Sequence, residues 1–367
     1  MLDRLRDWMR SEAVDAACLT DPVSIAYLTG FSTNPHERLM ALVLRGERAV
    51  LVVPGLEEES ASAAARDVTV RSWRDGEDAW AVVAAALDGG GAVARVAVET
   101  GHLSLARWDR LRALTGGAEP VDAGAEVRRL RVRKTPAEVA LLERAARLTD
   151  EVTERAMAEI RPGRTELEVA AAIDHLIATA GARLSFATIV QSGPNSAQPH
   201  LGPGGRRIEA GDLVLLDFGA ACEGYRADTT RTVVAGEPDA RQLELHALVL
   251  AAHDAAVAAV RPGATVGEVD EAARAVIRAG GLADRFIHRV GHGLGLEAHE
   301  DPSVDPGGSA VLDEGMVITI EPGVYLPGWG GVRIEDDVLV EAAGGRQLTG
   351  ADRGLRSAGP ADGRDRA

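Results

Sequence analysis

The feature that most constrains the fold of this chain is an internal repeat with an offset of one hundred residues. Ile160-Arg161-Pro162-Gly163 returns as Val260-Arg261-Pro262-Gly263. Further pairs keep the same register: Thr165 and Thr265, Glu168 and Glu268, Val169 and Val269, Ile177 and Ile277, Gly181 and Gly281, and Phe186 and Phe286. Each copy follows a long helical pattern and supplies a helix of its own. The sequence therefore predicts a domain made of two related halves.

Four acidic residues continue the repeat with a slightly longer offset. In the first half an apolar run leads to Asp217, and Asp228 follows a short connection. In the second half a similar run leads to Glu321, and Glu335 follows. Because the apolar runs have the length of strands, each half offers one carboxylate on each of two neighbouring strands. Two halves related by a pseudo-twofold axis would bring all four carboxylates together.

Four carboxylates in one buried pocket need counter-charges, because like charges raise each other's pKa and desolvation adds to the cost. Divalent cations supply that charge. His292 lies between two glycines, which would allow close approach of the backbone to a ligand. Carboxylate oxygens suit Mn²⁺, and one imidazole also fits Co²⁺, Fe²⁺ or Zn²⁺. We expect two divalent ions per chain, roughly 3.5 Å apart, which lower the pKa of a bridging water and supply a hydroxide for hydrolysis.

The N-terminal part of the chain alternates helix and strand patterns. The apolar periodicity predicts helices over residues 2–12, 79–87 and 104–114, and strands over 16–19, 41–44, 49–53 and 93–99. Such alternation indicates an α/β layer domain over residues 1–125.

A strongly basic segment, residues 126–136, follows as a predicted linker. At its end Thr135 and Pro136 have the residue types of a helix N-cap and a first helical position. We expect a second domain over residues 137–350. Residues 351–367 are rich in Gly, Ala, Asp and Arg with little apolar content, which predicts a disordered tail.

The composition excludes several classes of partner. The formal net charge is −16, the opposite of the basic footprint of nucleic-acid-binding proteins, and it disfavours docking on anionic lipid. The two cysteines, Cys18 and Cys222, form no paired pattern, which excludes a disulfide scaffold. We find neither a signal peptide nor an apolar run of about eighteen residues, and we expect a cytoplasmic protein without a membrane partner.

Taken together, the motifs resemble those of the pita-bread metallopeptidases, in the aminopeptidase P and prolidase branch. The segments that carry the resemblance are Leu216-Asp217-Phe218-Gly219, Ala227-Asp228-Thr229-Thr230-Arg231, Gly291-His292-Gly293 with His299-Glu300, Glu321-Pro322-Gly323, and Val332-Arg333-Ile334-Glu335-Asp336. The resemblance covers nearly the whole chain. It implies a two-domain α/β protein, with a creatinase/prolidase-like α/β domain followed by a pseudo-twofold α+β pita-bread catalytic domain.

The resemblance also implies a role for each metal ligand. Asp217 would chelate one metal, and Asp228 and Glu335 would bridge both. His292 and Glu321 would complete the coordination of the second metal. Glu321 would in addition move the proton of the attacking water.

Other residues acquire roles from the same resemblance. His200 and His299 would orient the scissile carbonyl and stabilise the oxyanion. Arg333 would hold the bridging carboxylates in place. In the N-terminal domain His36 and Arg38 lie in a loop that, in this family, can reach the active site of a partner subunit. We therefore expect a homodimer in which these two residues contribute to substrate binding.

The substrate expected from the resemblance is a small peptide with proline in second position. Dipeptide-specific prolidases often carry an arginine four residues after the position of His299, where this chain has Ser303. This departure favours an aminopeptidase that acts on longer peptides over a strict Xaa-Pro dipeptidase. Hydrolysis of a non-peptide C–N bond and a non-catalytic binding module are further alternatives. Both are disfavoured because all five metal ligands are present.

Overall fold

The computed structural model describes residues 1–358. The chain forms two compact units that divide between Arg131 and Val132. This division lies inside the segment 126–136 that the sequence analysis takes as a linker. Most of that segment belongs to a helix, Gly124–Val132, which includes Arg128, Arg129 and Arg131, whereas Arg133 and Lys134 follow it. Among the described helices none is long and apolar enough to cross a membrane.

The first unit is built on one mixed six-stranded sheet, with the strand order β4-β3-β2-β1-β5-β6. Its strands are β1 (Ala16–Leu19), β2 (Ala41–Arg45), β3 (Arg48–Pro54), β4 (Thr69–Trp73), β5 (Arg95–Val98) and β6 (Glu119–Asp122). Its helices are α1 (Leu2–Ser11), α2 (Pro22–Thr29), α3 (Glu58–Ala64), α4 (Ala79–Leu87), α5 (Leu105–Leu114) and α6 (Gly124–Val132). Strand β1 is buried along its whole length because it lies in the middle of the sheet. The α/β layer prediction is thereby confirmed.

The second unit begins at Val132 and carries the repeat. Its helices are α7 (Pro136–Ala156), α8 (Glu166–Thr179), α9 (Ala240–Ala259) and α10 (Val266–Ala279). The strands of its first half are β7 (Arg183–Leu184), β8 (Ile189–Ser192), β9 (Leu213–Phe218), β10 (Ala220–Cys222), β11 (Tyr225–Arg226) and β12 (Thr229–Ala235). The remaining strands are β13 (Gly291–Gly293), β14 (Glu300–Val304), β15 (Val317–Ile320), β16 (Gly323–Leu326), β17 (Gly330–Arg333), β18 (Asp336–Glu341), β19 (Gly344–Gln347) and β20 (Ser357–Ala358).

In the second unit α8 packs on the sheet of the first half, and α10 packs on the sheet of the second half. The first sheet has the order β20-β12-β9-β8, and the second has the order β14-β13-β15-β18-β19. The helices α8 and α10 both contain 14 residues and both begin with a capping box. In these boxes Thr165 accepts from the backbone N–H of Glu168, and Thr265 accepts from that of Glu268. The predicted repeat is therefore a structural repeat as well.

The start of the second unit follows the capping rules that its sequence suggests. The side chain of Thr135 accepts a hydrogen bond from the backbone N–H of Glu138, and the backbone N–H of Thr135 donates one to the carboxylate of Glu138 at 2.8 Å. Pro136 occupies the first position of α7, where its missing N–H has no cost. The predicted N-cap is confirmed.

The prediction of a disordered tail from residue 351 onward is wrong for residues 351–358. The carbonyl oxygen of Ala351 accepts a 2.8 Å hydrogen bond from the buried guanidinium of Arg231, and Ser357 pairs with Val234 as strand β20. The order comes from backbone carbonyls that satisfy a buried arginine, which a lack of apolar side chains does not exclude. The rest of the predicted tail, residues 359–367, lies outside the described residues.

Candidate metal centre

Asp217 and Asp228 are placed side by side by two antiparallel strands of the first half. Asp217 lies near the end of the fully buried strand β9, and Asp228 directly precedes β12. In the register of the pair, Asp217 stands opposite Thr230. A Cβ at Gly219 would lie 1.8 Å from the carbonyl oxygen of Ala227, so only glycine allows the two segments to cross this closely. This crossing brings the two carboxylates to one end of the sheet.

The second half repeats the arrangement with Glu321 and Glu335. Glu321 follows β15 directly, and Glu335 directly precedes β18, with Ile320 opposite Asp336 in the register. The neighbouring strand β13 carries His292.

The glycines that flank His292 have a different role from the predicted one. A Cβ at Gly291 would lie 1.9 Å from the carbonyl oxygen of Thr319, and one at Gly293 would lie 2.2 Å from that of Asp301. The absence of side chains here therefore lets β13 pack between its neighbouring strands, rather than giving a ligand access to the backbone.

The five predicted metal ligands meet in one cavity of about 480 Å³, which His200, His299 and Arg333 also line. Asp228, His292 and Glu335 each present a ligand atom within 4.8 Å of the other two. The Nε2 atom of His292 lies 3.4 Å from Oε1 of Glu321 and 3.9 Å from Oδ2 of Asp228. The two halves thus contribute to a single polar cluster.

The buried side chains of the cluster have strongly shifted pKa values. Burial, followed by the charge of Glu335, raises the pKa of Asp228 well above its ordinary value. Burial and the charge of Glu321 do the same to the pKa of Glu335, and burial raises the pKa of Glu321 to about 7. Burial lowers the pKa of His292 to about 3, so its ring is neutral and able to act as a ligand.

Within residues 1–358, two carboxylate oxygens of the cluster lack a hydrogen-bond partner. Oδ1 of Asp217 and Oδ1 of Asp228 are buried and unpaired. A buried anionic oxygen without a partner is costly, and a divalent cation between the carboxylates would satisfy it. The donor set of carboxylates and one neutral imidazole fits such an ion.

Arg333 contacts the cluster differently from the prediction. Its guanidinium pairs through Nη2 with Oδ2 of Asp217, and its Nε donates to Oγ1 of Thr230 at 3.0 Å. Thr230 in turn donates to Oε2 of Glu335 at 2.6 Å. Arg333 therefore holds Asp217 directly and reaches the carboxylate of Glu335 only through the hydroxyl of Thr230.

Each of the two units matches the model of a known family. Residues 1–133 match the family model of the creatinase/prolidase N-terminal domain. Residues 140–342 match the family model of metallopeptidase family M24. The chain belongs to metallopeptidase family M24. It is therefore a hydrolase of a family that binds divalent metal.

The similarity of this M24 chain to individual proteins extends over almost its whole length. An Xaa-Pro dipeptidase of Lactobacillus helveticus is 37% identical over 360 residues, which are 97% of this chain and 98% of that protein. The prolidase structure from Pyrococcus furiosus has a TM-score of 0.86 at 37% identity, covering 95% of this chain and 99% of that one. An X-Pro aminopeptidase structure from Thermotoga maritima has a TM-score of 0.87 at 31% identity, covering 95% and 100%.

His200 and His299 stand at the exposed side of the M24 cavity. The ring of His299 lies 4.0 Å from the ring of His292, measured between centroids. Burial, followed by the positive charge of Arg289, lowers the pKa of His299. Both histidines line the cavity, as the sequence analysis expects of them.

Three residues of the M24 site were not among the predicted site residues. The Nε2 atom of His288 lies 2.8 Å from the hydroxyl of Tyr325, which accepts a 3.0 Å hydrogen bond from Arg333. Burial lowers the pKa of His288 to about 4 and raises the pKa of Tyr325 to about 12. Arg289 lines the cavity as well. Their positions in the sequence could have identified them, because each lies three or four residues from His292 or Glu321.

His36 and Arg38 lie in the first unit, in the loop before β2. His36 is exposed and has a φ of 54°, and Oδ1 of Asn34 accepts its backbone N–H at 3.0 Å. The guanidinium of Arg38 pairs with Asp75 at 2.8 Å and with Glu37 at 3.1 Å. Their part in substrate binding stays a prediction.

Proposed function

We propose that this M24 enzyme hydrolyses the peptide bond that precedes proline at the N-terminus of small peptides. The observation that carries the proposal is the cluster of Asp228, His292 and Glu335 within 4.8 Å, with His299 beside it in the same cavity. The similar proteins named Xaa-Pro dipeptidase, prolidase and X-Pro aminopeptidase support the choice of bond.

We propose that two divalent ions, Mn²⁺ in the first place, bind the cluster. Asp217 would hold one ion, His292 and Glu321 the other, and Asp228 and Glu335 both. When bound, such ions lower the pKa of water toward neutrality and so supply a nucleophile for amide hydrolysis. The unpaired oxygens of Asp217 and Asp228 support this assignment.

Protein side chains carry out the remaining steps. Glu321 is the most exposed of the four carboxylates, with 17% of its side chain accessible, and so is placed to accept the proton of the attacking water. His200 and His299 line the open side of the cavity and would donate to the carbonyl oxygen as negative charge develops on it. Arg333 keeps Asp217 in position.

Two lengths of substrate are compatible with this chemistry. Ser303 in place of an arginine favours longer peptides, and hence an aminopeptidase. The presence of Arg289 in the same cavity favours dipeptides, because it offers a cation for their carboxylate. We give the presence of Arg289 more weight than the lack of an arginine at position 303, because a charge that is present can bind a carboxylate directly.

We also keep the homodimer as a proposal, with the loop of His36 and Arg38 contributing to the active site of a second copy. A double variant, His36→Ala with Arg38→Ala, should then raise KM for a dipeptide. Unchanged affinity and rate would contradict this contribution. The free thiols of Cys18 and Cys222 support a reducing, cytoplasmic location.

The proposed function is tested by metal removal and substrate comparison. Dialysis against a chelator should abolish cleavage of alanyl-proline, and Mn²⁺ or Co²⁺ should restore it. Alanyl-alanine, which differs only after the scissile bond, serves as the control for proline preference. Full activity of the metal-stripped protein, or equal rates on both dipeptides, would refute the proposal.

A further inference from the structure

Arg289 is a cation in the catalytic cavity that takes no part in the chemical steps proposed above. It is half-buried and lines the cavity together with the metal-ligand cluster. Its Nη1 donates a 2.6 Å hydrogen bond to the hydroxyl of Ser303. This contact fixes one arm of the guanidinium.

Ser303 holds that guanidinium beside the strand that carries His292. In the pairing of β13 with β14, Ser303 stands directly opposite His292. Side chains of directly opposed residues project from the same face of a sheet, with Cβ atoms roughly 5 Å apart. The hydroxyl that holds Arg289 therefore lies on the same face as the imidazole of His292.

The charge of Arg289 has no carboxylate partner in the part of the chain that the structure describes. Within residues 1–358 its guanidinium donates to Ser303 and forms no ion pair, and its charge acts on Glu321 only over a longer distance. By contrast, Arg333 pairs with Asp217, and the nearby Arg274 pairs with Asp270. A half-buried guanidinium that lines a cavity and forms no direct ion pair is suited to bind an anionic part of a ligand.

The length of a dipeptide matches this position. A residue spans at most about 3.6 Å of chain, so the carboxylate of an Xaa-Pro dipeptide lies only about one residue beyond the scissile carbonyl. When that carbonyl is at the metal-ligand cluster, the carboxylate lies within about one residue's length of it, a reach that includes Arg289 in the same cavity. In a longer peptide this carbonyl carbon is part of an uncharged amide instead.

We propose that Arg289, held in place by Ser303, binds the C-terminal carboxylate of Xaa-Pro dipeptides and so gives the enzyme its preference for them. This inference rests on the proposed function. The sequence analysis takes the missing arginine at position 303 as a missing charge. In the structure Arg289, which lies just before β13, carries that charge, and Ser303 on β14 is its hydrogen-bond partner.

The test compares alanyl-proline with alanyl-prolinamide, which has the same length and shape but no carboxylate. In the Arg289→Ser variant, kcat/KM for the dipeptide should fall on the order of 100-fold, mainly through KM, while the amide should change less than about threefold. The ratio of the two values is the readout, because both come from one preparation and incomplete folding cancels. Arg278→Ser, on the exposed side of α10, removes an equal charge and should leave the ratio unchanged.

Two further variants separate a charge effect from a packing effect. Arg289→Lys keeps the charge and should retain most of the dipeptide preference. The double variant Arg289→Ser with Ser303→Arg returns a guanidinium to the same pair of positions and should regain at least about tenfold of the lost ratio. Inhibition by free proline, compared with prolinamide, should follow the same order, which provides a readout of binding without turnover.

The outcomes distinguish this inference from the proposed function. If the wild-type enzyme cleaves both substrates but with equal kcat/KM, Arg289 does not read the carboxylate and the inference is wrong. The same holds if Arg289→Ser lowers both substrates equally. If the wild-type enzyme with metal cleaves neither substrate, the proposed function itself is wrong.

Discussion

The hydroxyl of Thr230 donates a 2.6 Å hydrogen bond to Oε2 of Glu335 and accepts one of 3.0 Å from Nε of Arg333. Thr230 lies on β12, in the first half of the catalytic unit, whereas Glu335 and Arg333 belong to the second half. One hydroxyl thus ties a proposed bridging ligand to the opposite half of the pseudo-symmetric domain.

Replacing Thr230 with Val should weaken metal binding while preserving side-chain volume. The carboxylate of Glu335 would lose its orienting donor, and such partners of metal ligands typically contribute 10- to 100-fold in affinity. Titration calorimetry with Mn²⁺ on the metal-stripped enzyme measures the change. Thr230→Ser retains the hydroxyl and should bind metal like the wild type, so equal affinities for the Val and Ser variants would contradict the assignment.

Asp228→Asn should lower the number of metal ions bound per chain. The substitution keeps the shape of the side chain but removes the charge that a bridging position needs, so activity on alanyl-proline should fall at least about 100-fold. Metal analysis after desalting provides the count. Asp305→Asn, at an exposed position of the same unit, is the control. Two ions per chain with normal turnover in Asp228→Asn would show that the ligand assignment is wrong.

Lys134→Met should destabilise the catalytic unit by about 3–5 kcal/mol, because it leaves the carboxylate of Glu300 buried beside an apolar side chain. Nζ of Lys134 lies 3.3 Å from Oε2 of Glu300, and the two side chains are 1% and 5% exposed. Urea unfolding of the full chain measures the loss.

The neighbouring Arg133 offers a matched control for Lys134. Arg133 pairs with Asp313 on the surface, with both side chains at least half exposed, so Arg133→Met should cost less than about 1 kcal/mol. Adding Glu300→Gln to Lys134→Met should recover part of the stability. Similar losses of unfolding free energy in Lys134→Met and Arg133→Met would mean that the buried pair contributes no more to stability than the surface pair.

Stability should fall as the pH is lowered below about 6.5, in part because of His246. Burial lowers the pKa of this residue to about 4, so between these two pH values the unfolded chain binds a proton that the native state does not. The free energy of unfolding then rises with pH, and His246 contributes a slope of about 1 kcal/mol per pH unit near pH 5. His246→Leu should reduce the measured slope by that amount, and an unchanged slope would contradict the burial argument.

How far the sequence predicts this structure depends on the range of the interactions involved. Thr165 and Thr265 reveal their helices because a capping box is encoded within four residues. Asp217 and Glu321 could be paired because a repeat in sequence becomes a repeat in space. Both inferences use local patterns or symmetry, which one sequence displays directly.

Contacts that depend on strand register were not predictable in this way. The hydrogen bond from Arg289 to Ser303 requires the pairing of β13 with β14, whose register shifts between His292 and Gly293. The position of Tyr325 against Arg333 likewise follows from the pairing of β16 with β17, in which Tyr325 faces Gly331. Spacing along the chain carries no information on such shifts.

The division of the ligands between two halves has a consequence for the newly made protein. Asp217 and Asp228 leave the ribosome before His292 and Glu321 have been translated, and Glu335 comes last of the five. A nascent chain that ends before Glu335 has no acceptor for the hydroxyl of Thr230 and an incomplete set of ligands. Interrupted translation therefore releases fragments that lack part of the proposed ligand set.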